Sequence, residues 1–335
     1  MWSLFEEVDQ RLANTREFGS SKRYAGIFEP SSASVIVDKN VFGKCARASA
    51  FDLLGLRKPI TSVRANWKFE FGGNFEQTFI EMMKRAGLFH SDHVKMAFPF
   101  GPDEKYQISG EIDVIGKNGS PFIVELKTIS GRIAESQCVT GYDRPPQYRN
   151  GYTINPMASA PKIEHLIQVM LYQYYGSVVL PKQSDLELDH SRICYLSISS
   201  MKHSEYILRL VERGGLHFPK LWKLMKSDDS YFEQEIELLP FSVEDIFSRY
   251  IYIAKHIEND LVPPRDYSPQ YTDEEISDRL ARGILSKTKA NNMRNGTIPA
   301  CDWQCSYCQY KQLCEELPSG AFKIDYMEEL NGIKG

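Results

Sequence analysis

Apolar residues recur at helical spacing in the opening stretch 3–16, where Leu4, Phe5, Val8 and Leu12 form one stripe, and the run FGSSKRYAG ends it. A second helix is expected from near Cys45 in GKCARASAFDLLGL. A third follows in NFEQTFIEMMKRAG, where Phe75, Phe79 and Met82 or Met83 keep the period and Gly87 supplies a stop. The pattern then shortens: VKMAFPF, YQISGEIDVIG and PFIVELKTI read as strands, and KNGS between the last two carries an Asn-Gly hairpin signal. Beyond the polar loop GYDRPPQYRNGYTINP, KIEHLIQVMLYQYYGS reads as a long buried helix and SRICYLSIS as another strand. GGLHFPKLWKLMK and SVEDIFSRYIYIAKHIEND have helical periodicity, LVPPRDYS breaks it, and residues 270–298 turn polar and flexible. No internal repeat is visible. Helices, then a short sheet, then a crossover helix and a further strand predict an α/β fold with a mixed central sheet.

Composition sets the bounds. With 335 residues, of which 42% are hydrophobic, the chain can form one large domain with insertions or two smaller ones around a substantial core. Charged residues make up 25% and the formal net charge is −4, so any polyanion site must be a local patch. No apolar run is long enough to span a bilayer, and the first residues are acidic and helical in period rather than a basic region followed by an apolar one, which predicts a cytosolic protein without membrane attachment. Seven cysteines are present, four of them in CDWQCSYCQYKQLC, a spacing closer to metal ligation than to a secreted disulfide framework.

The hairpin SGEIDVIGKNGSPFIVELKTIS raises a chemical question, because it places Asp113, Glu125 and Lys127 inside an otherwise apolar core sheet. Ionised groups enter a core only when paired or bound to a metal. Strand alternation puts Glu125 and Lys127 on one face. Asp113 joins them if the loop is three residues long, Lys117-Asn118-Gly119, with Gly119 in the left-handed conformation; Asp113 then lies diagonal to Glu125. A slip of one residue would send it to the opposite face. Two carboxylates on one dry face repel, and an oxygen-preferring divalent cation, Mg²⁺ or Mn²⁺, relieves them. Lys127 beside them can orient or deprotonate a metal-bound water attacking a phosphodiester. From this pattern alone, a surface Glu125–Lys127 ion pair on a half-exposed strand stays equally open.

The arrangement of Asp113 on one strand and Glu125-Leu126-Lys127 on the next resembles the core of the PD-(D/E)XK nuclease superfamily. Its RecB-like branch also carries an acidic residue or His after a glycine on a preceding helix, matched by Gly72 and Glu76 in GGNFEQTF. A Gln with a Tyr four residues later on the following helix is matched by Gln168 and Tyr172 in HLIQVMLYQYY. The resemblance spans roughly residues 40 to 316, with little contribution from 180 to 295. It implies an α/β, restriction-endonuclease-like core with a mixed central sheet flanked by helices, plus helical and cysteine-cluster elements. It also implies Mg²⁺ or Mn²⁺ held by Glu76, Asp113, Glu125 and the Leu126 carbonyl, with catalytic roles for Asp113, Glu125, Lys127, Gln168 and Tyr172. The expected activity is a deoxyribonuclease, an exonuclease on single-stranded DNA or DNA ends, in recombination, repair or phage or CRISPR DNA processing in a bacterial, archaeal or phage-infected cytoplasm. No Gly-x₄-Gly-Lys-Ser/Thr motif is present, so unwinding would need a helicase or recombination partner. The alternative is a catalytically silent DNA-end-binding or scaffold subunit of a helicase–nuclease complex. The expected organisation is an N-terminal helical segment 1–40, a nuclease core 41–200, a helical region with a polar basic segment 201–298, a cysteine cluster 299–316 closing onto the N-terminal part, and a tail 317–335.

Two ligand sets compete among the cysteines. Cys301, Cys305, Cys308 and Cys314 could hold a structural Zn²⁺ as a local tetrathiolate. Alternatively Cys305, Cys308 and Cys314 join the remote Cys45 around a [4Fe-4S] cluster. Resemblance to AddB-type and CRISPR-associated RecB-like nucleases, which have one cysteine ahead of the core and Cys-x₂-Cys-x₅-Cys behind it, implies the second; Cys301 departs from that pattern. Such a cluster would close a loop of more than two hundred residues. Cys138 and Cys194 read as an exposed loop residue and a buried strand residue. For nucleic acid, the candidates are Arg132, Arg144 and Arg149 after the hairpin, interleaved with Tyr142, Tyr148 and Tyr152, then the basic residues from Arg279 to Arg294, and His165 as a phosphate contact. Basic residues among aromatics suit single strands.

Overall fold

A computed structural model describes residues 26–37, 40–56, 63–141, 148–149, 152–153, 159–228, 230–238 and 240–325. The expected helix 3–16 lies outside them, as do Arg144 and Tyr142. In chain order, β1 (Ile27–Phe28) leads to the hairpin β2 (Ser34–Val37) and β3 (Asn40–Gly43), then to helices α1 (Ala46–Leu53) and α2 (Val63–Arg85). The strands β4 (Phe89–Phe100), β5 (Tyr106–Asn118) and β6 (Ser120–Ile129) follow, and after the short β7 (Tyr148–Arg149) and β8 (Tyr152–Thr153) comes helix α3 (Ile163–Tyr174). Strands β9 (Ser191–Ser197), β10 (His203–Arg213), β11 (Leu216–Lys226) and β12 (Tyr231–Leu238) precede helix α4 (Val243–Glu258). The C-terminal part holds β13 (Leu261–Val262), α5 (Asp273–Ala281), α6 (Lys287–Arg294), α7 (Trp303–Ser306), α8 (Lys311–Glu316) and β14 (Phe322–Lys323). No helix among the described residues is long and apolar enough to cross a membrane.

The chain divides into two compact units. The larger comprises residues 26–43 and 64–252 and contains a ten-stranded mixed sheet in the order β1-β5-β6-β9-β10-β11-β12-β8-β7, with β4 also paired to β5. This is the α/β fold with a mixed central sheet that the element order predicts. Ile80 and Met83 of α2 pack on Val114, Phe122, Val124 and Leu126 of one sheet face. Helix α3 is apolar nearly all round, with Ile163, Leu166, Ile167, Val169, Met170 and Leu171 buried, as a helix enclosed on most sides must be.

The β5–β6 register departs from expectation in one respect. The last pairs are Lys117–Pro121 and Asn118–Ser120, so the turn centres on Gly119, one residue later than the expected centre at Asn118, with Gly119 at φ +79° as the turn requires. Carried one step beyond Val114–Val124, this register sets Asp113 opposite Glu125 rather than diagonal to it. The shared face survives because the pairing moved by an even number of residues.

Three other expectations fail. Residues 214–226 form the hairpin partner β11, not a helix, and β10 and β12 flank it. Pro219 inside the segment would break a helix, whereas Gly214 and Gly215, at φ +61° and +78°, make the two-residue turn from β10. The stretch 270–298 is folded: Thr272 and Glu275 form a capping box on α5, Ser286 caps α6, and Ile276, Leu285, Ala290 and Met293 form a small core with Tyr271. Cys138 is buried in the helical turn 136–140, whose carbonyls at Cys138 and Val139 accept from Ser204, Tyr206, Ser159 and Lys223. Cys194 lies in β9 and is half-buried.

The smaller unit draws its described residues from 44–56 and 253–325. Its core packs Ala48 and Phe51 of α1 on Val262, Tyr310, Leu317 and Phe322.

Candidate active site

The site forms where the sheet opens. Strand β4 runs along one edge of β5; on the other edge β1 takes Gln107–Ile108 and β6 takes Val114–Asn118. Among the described residues, 109–113 have no strand partner on that second edge. Asp113 stands at the end of the gap and accepts the Leu126 backbone N–H at 3.4 Å, taking an amide that a continuous ladder would have paired.

Glu125 is 0% exposed and forms an ion pair with Lys127, yet neither of its oxygens receives a well-directed hydrogen bond. Burial, opposed by the Lys127 charge but reinforced by Asp113, pushes its carboxyl up to about 7. Burial likewise raises Asp113, against the pull of Lys127, and Glu76 of α2, which feels Asp113 as a further repulsion. Burial alone would lower Lys127; the Glu125 and Asp113 carboxylates outweigh it, so the ammonium is held charged. Glu125, Asp113 and the half-buried Glu76 all act on the Lys127 ammonium.

Gln168 and Tyr172, one turn apart on α3, meet as expected: the Gln168 amide donates to the Tyr172 hydroxyl at 2.8 Å. Tyr172 is buried, and burial followed by the Glu125 charge raises its phenol, so it stays protonated. His165 is half-buried. Its Nδ1 bonds the Tyr195 hydroxyl at 2.8 Å, and burial followed by the Lys127 and Lys162 charges holds the imidazole neutral. Arg132 is exposed in the turn after β6; Tyr148 and Arg149 form β7, paired with β8.

Sequence reasoning missed a polar rim. His93 Nδ1 bonds Glu111 Oε1 at 2.9 Å and its Nε2 lies 3.3 Å from Gln77 Nε2, while Asp113 and Glu76 both feel its charge. The pairs Asp92–Val114 and Val94–Ile112 bracket His93 opposite Asp113. Glu111 was findable, two residues before Asp113 on the same strand face. His93 was not, because its place depends on a backbone at φ +48°, which a non-glycine strand residue rarely adopts.

The profile of the PD-(D/E)XK nuclease superfamily matches residues 56–315. The chain belongs to this superfamily. No curated protein matches it. A solved structure entitled "Crystal structure of SSO0001" is similar to this PD-(D/E)XK chain at 12% identity and a TM-score of 0.35, covering 94% of this chain and 95% of that one.

Among the described residues of this PD-(D/E)XK chain, no three His, Cys, Asp or Glu side chains stand grouped as they would around a metal ion. The donors nevertheless fit one. The buried, un-hydrogen-bonded Glu125 oxygens facing Asp113 suit a hard divalent cation. In the smaller unit all the cysteines are free thiols, and Cys305, raised first by burial, also feels Cys45, Cys308 and Cys314. Cys301 turns instead to the Ser306 hydroxyl at 3.3 Å. Cys305 thus feels the three other thiols of one candidate ligand set, Cys45, Cys308 and Cys314.

Proposed function

We propose that the chain is a Mg²⁺- or Mn²⁺-dependent deoxyribonuclease of the RecB-like, AddB-type branch, an exonuclease on single-stranded DNA or DNA ends. The observation that carries this reading is the convergence of Asp113, Glu125 and Lys127 in the sheet gap, with the Glu125 oxygens lacking directed hydrogen bonds. Glu76, Asp113, Glu125 and the Leu126 carbonyl would hold the cation, which when bound acidifies water and stabilises charge on the phosphoryl oxygens. The Lys127 ammonium, anchored on Glu125, orients the attacking water and meets charge building on the scissile phosphate. The Gln168–Tyr172 pair fixes the wall behind Glu125 and offers an amide and a phenol toward the same place. A [4Fe-4S] cluster on Cys45, Cys305, Cys308 and Cys314 staples the smaller unit; the position of Cys301 supports that set over the zinc set that includes it.

The test is a time course on end-labelled single- and double-stranded DNA with Mg²⁺, Mn²⁺ or a chelator. Metal-dependent shortening from an end is expected, and Asp113→Ala should abolish it. Cleavage that survives the chelator or the substitution overturns the mechanism; tight binding to ends without cleavage identifies a silent end-binding subunit instead.

A further inference from the structure

Arg47, in the first turn of α1, is 1% exposed. Its Nε donates to the Pro263 carbonyl at 3.1 Å, and its Nη2 to the carbonyls of Ser319 at 3.1 Å and Gly320 at 2.8 Å. The guanidinium carbon stands 5.0 Å from the Phe322 ring centroid. No carboxylate among the described residues is ion-paired with it. A buried guanidinium without an anion is an expensive arrangement, and backbone carbonyls supply dipoles but no compensating charge.

The remaining contact names the missing partner. Arg47 Nη1 points at Cys314 Sγ, 3.6 Å away. A neutral thiol is a weak acceptor, whereas a thiolate accepts strongly and carries the charge that the guanidinium lacks. Cys45, the residue ahead of α1, receives the Asp266 backbone N–H at 3.5 Å, so a second donor also faces sulphur. Four thiolates around either [4Fe-4S]²⁺ or Zn²⁺ leave a net charge of −2 on the assembly, since each brings −1 to a dication.

We infer that Arg47 is the buried counter-ion of the metal–thiolate assembly on Cys45, Cys305, Cys308 and Cys314, binding it through Nη1 and Cys314 Sγ. This rests on the cysteine set proposed above and extends it to a positioning residue outside the ligands. In this role Arg47 ties the assembly to the backbone at 263 and at 319–320, while the assembly neutralises Arg47.

The experiment uses the full chain purified without oxygen, with Arg47→Gln and Arg47→Lys. Iron, sulphide and zinc are quantified, and release of the bound metal to a chelator of ferrous iron or of zinc is followed. Arg47→Gln is expected to release its metal about tenfold faster than wild type, the scale of losing a partner hydrogen-bonded to a metal ligand. Arg47→Lys, which keeps the charge, is expected to release it more slowly than Arg47→Gln. Equal rates for wild type and Arg47→Gln overturn the inference while leaving the cysteine site standing, as does an Arg47→Lys rate as fast as that of Arg47→Gln. A wild-type chain that retains neither iron nor zinc overturns the cysteine site itself. If Arg47→Gln does not fold, the comparison of wild type with Arg47→Lys carries the test: losing the Nη1 contact to Cys314 Sγ should make Arg47→Lys release its metal measurably faster than wild type, and equal rates overturn the inference.

Discussion

Glu125 is the residue in which folding and proposed chemistry conflict most directly. Its carboxyl titrates at about 7 in the fold against an ordinary value of 4.5, so the native state binds a proton that the unfolded chain has released between those values. Without metal, stability should be greatest below pH 4.5 as far as this group is concerned and fall as pH rises toward 7, by about 1.4 kcal/mol for each unit of displacement. Divalent cations should reverse that slope, since binding needs the carboxylate; urea titrations at several pH values with and without Mg²⁺ measure both. Lys127→Met should lower the cleavage rate about a hundredfold to a thousandfold, the usual range for losing a donor that meets charge in the transition state, while the Mg²⁺ requirement remains. Both residues were legible because strand alternation needs only local sequence. His93 was not, because a positive φ in β4 and a neighbour on β5 fix its position.

At the scale of the element, the β5–β6 hairpin followed from its Asn-Gly turn, one residue out in register, whereas the β10–β11 hairpin was missed with its turn in plain view. Gly214-Gly215 between two runs is a two-residue hairpin signal, but β11 carries apolar residues on both faces, which hides the two-residue period and mimics a helix. The polar stretch 270–298 misled for the opposite reason: its core needs few apolar residues because the helix caps satisfy the backbone ends. Thr272→Ala should therefore cost about 1 kcal/mol and raise amide exchange within Asp273–Ala281, with cleavage activity unchanged. Protection at those amides equal to wild type would remove the capping box from the account.

For the whole molecule, mixed α/β architecture was readable from element order, whereas the division into two units was not, since the smaller one joins a segment that interrupts the larger to residues that follow it. No local pattern announces that Ala48 and Phe51 will pack on Tyr310 and Phe322. Removing the metal proposed on these thiolates should loosen this unit selectively. Limited proteolysis after chelation should cut within residues 253–325 before it cuts the sheet, and equal susceptibility of the two would count against a stapling role.

That split assembly also orders events during synthesis. Cys45 leaves the ribosome early, but Cys305, Cys308 and Cys314 follow only after every strand of the central sheet has been made. Until then Cys45 lacks the three co-ligands proposed for it, so loading of the proposed metal would be a late step. A nascent chain stalled short of its last cysteines would carry a finished sheet and an unfinished staple.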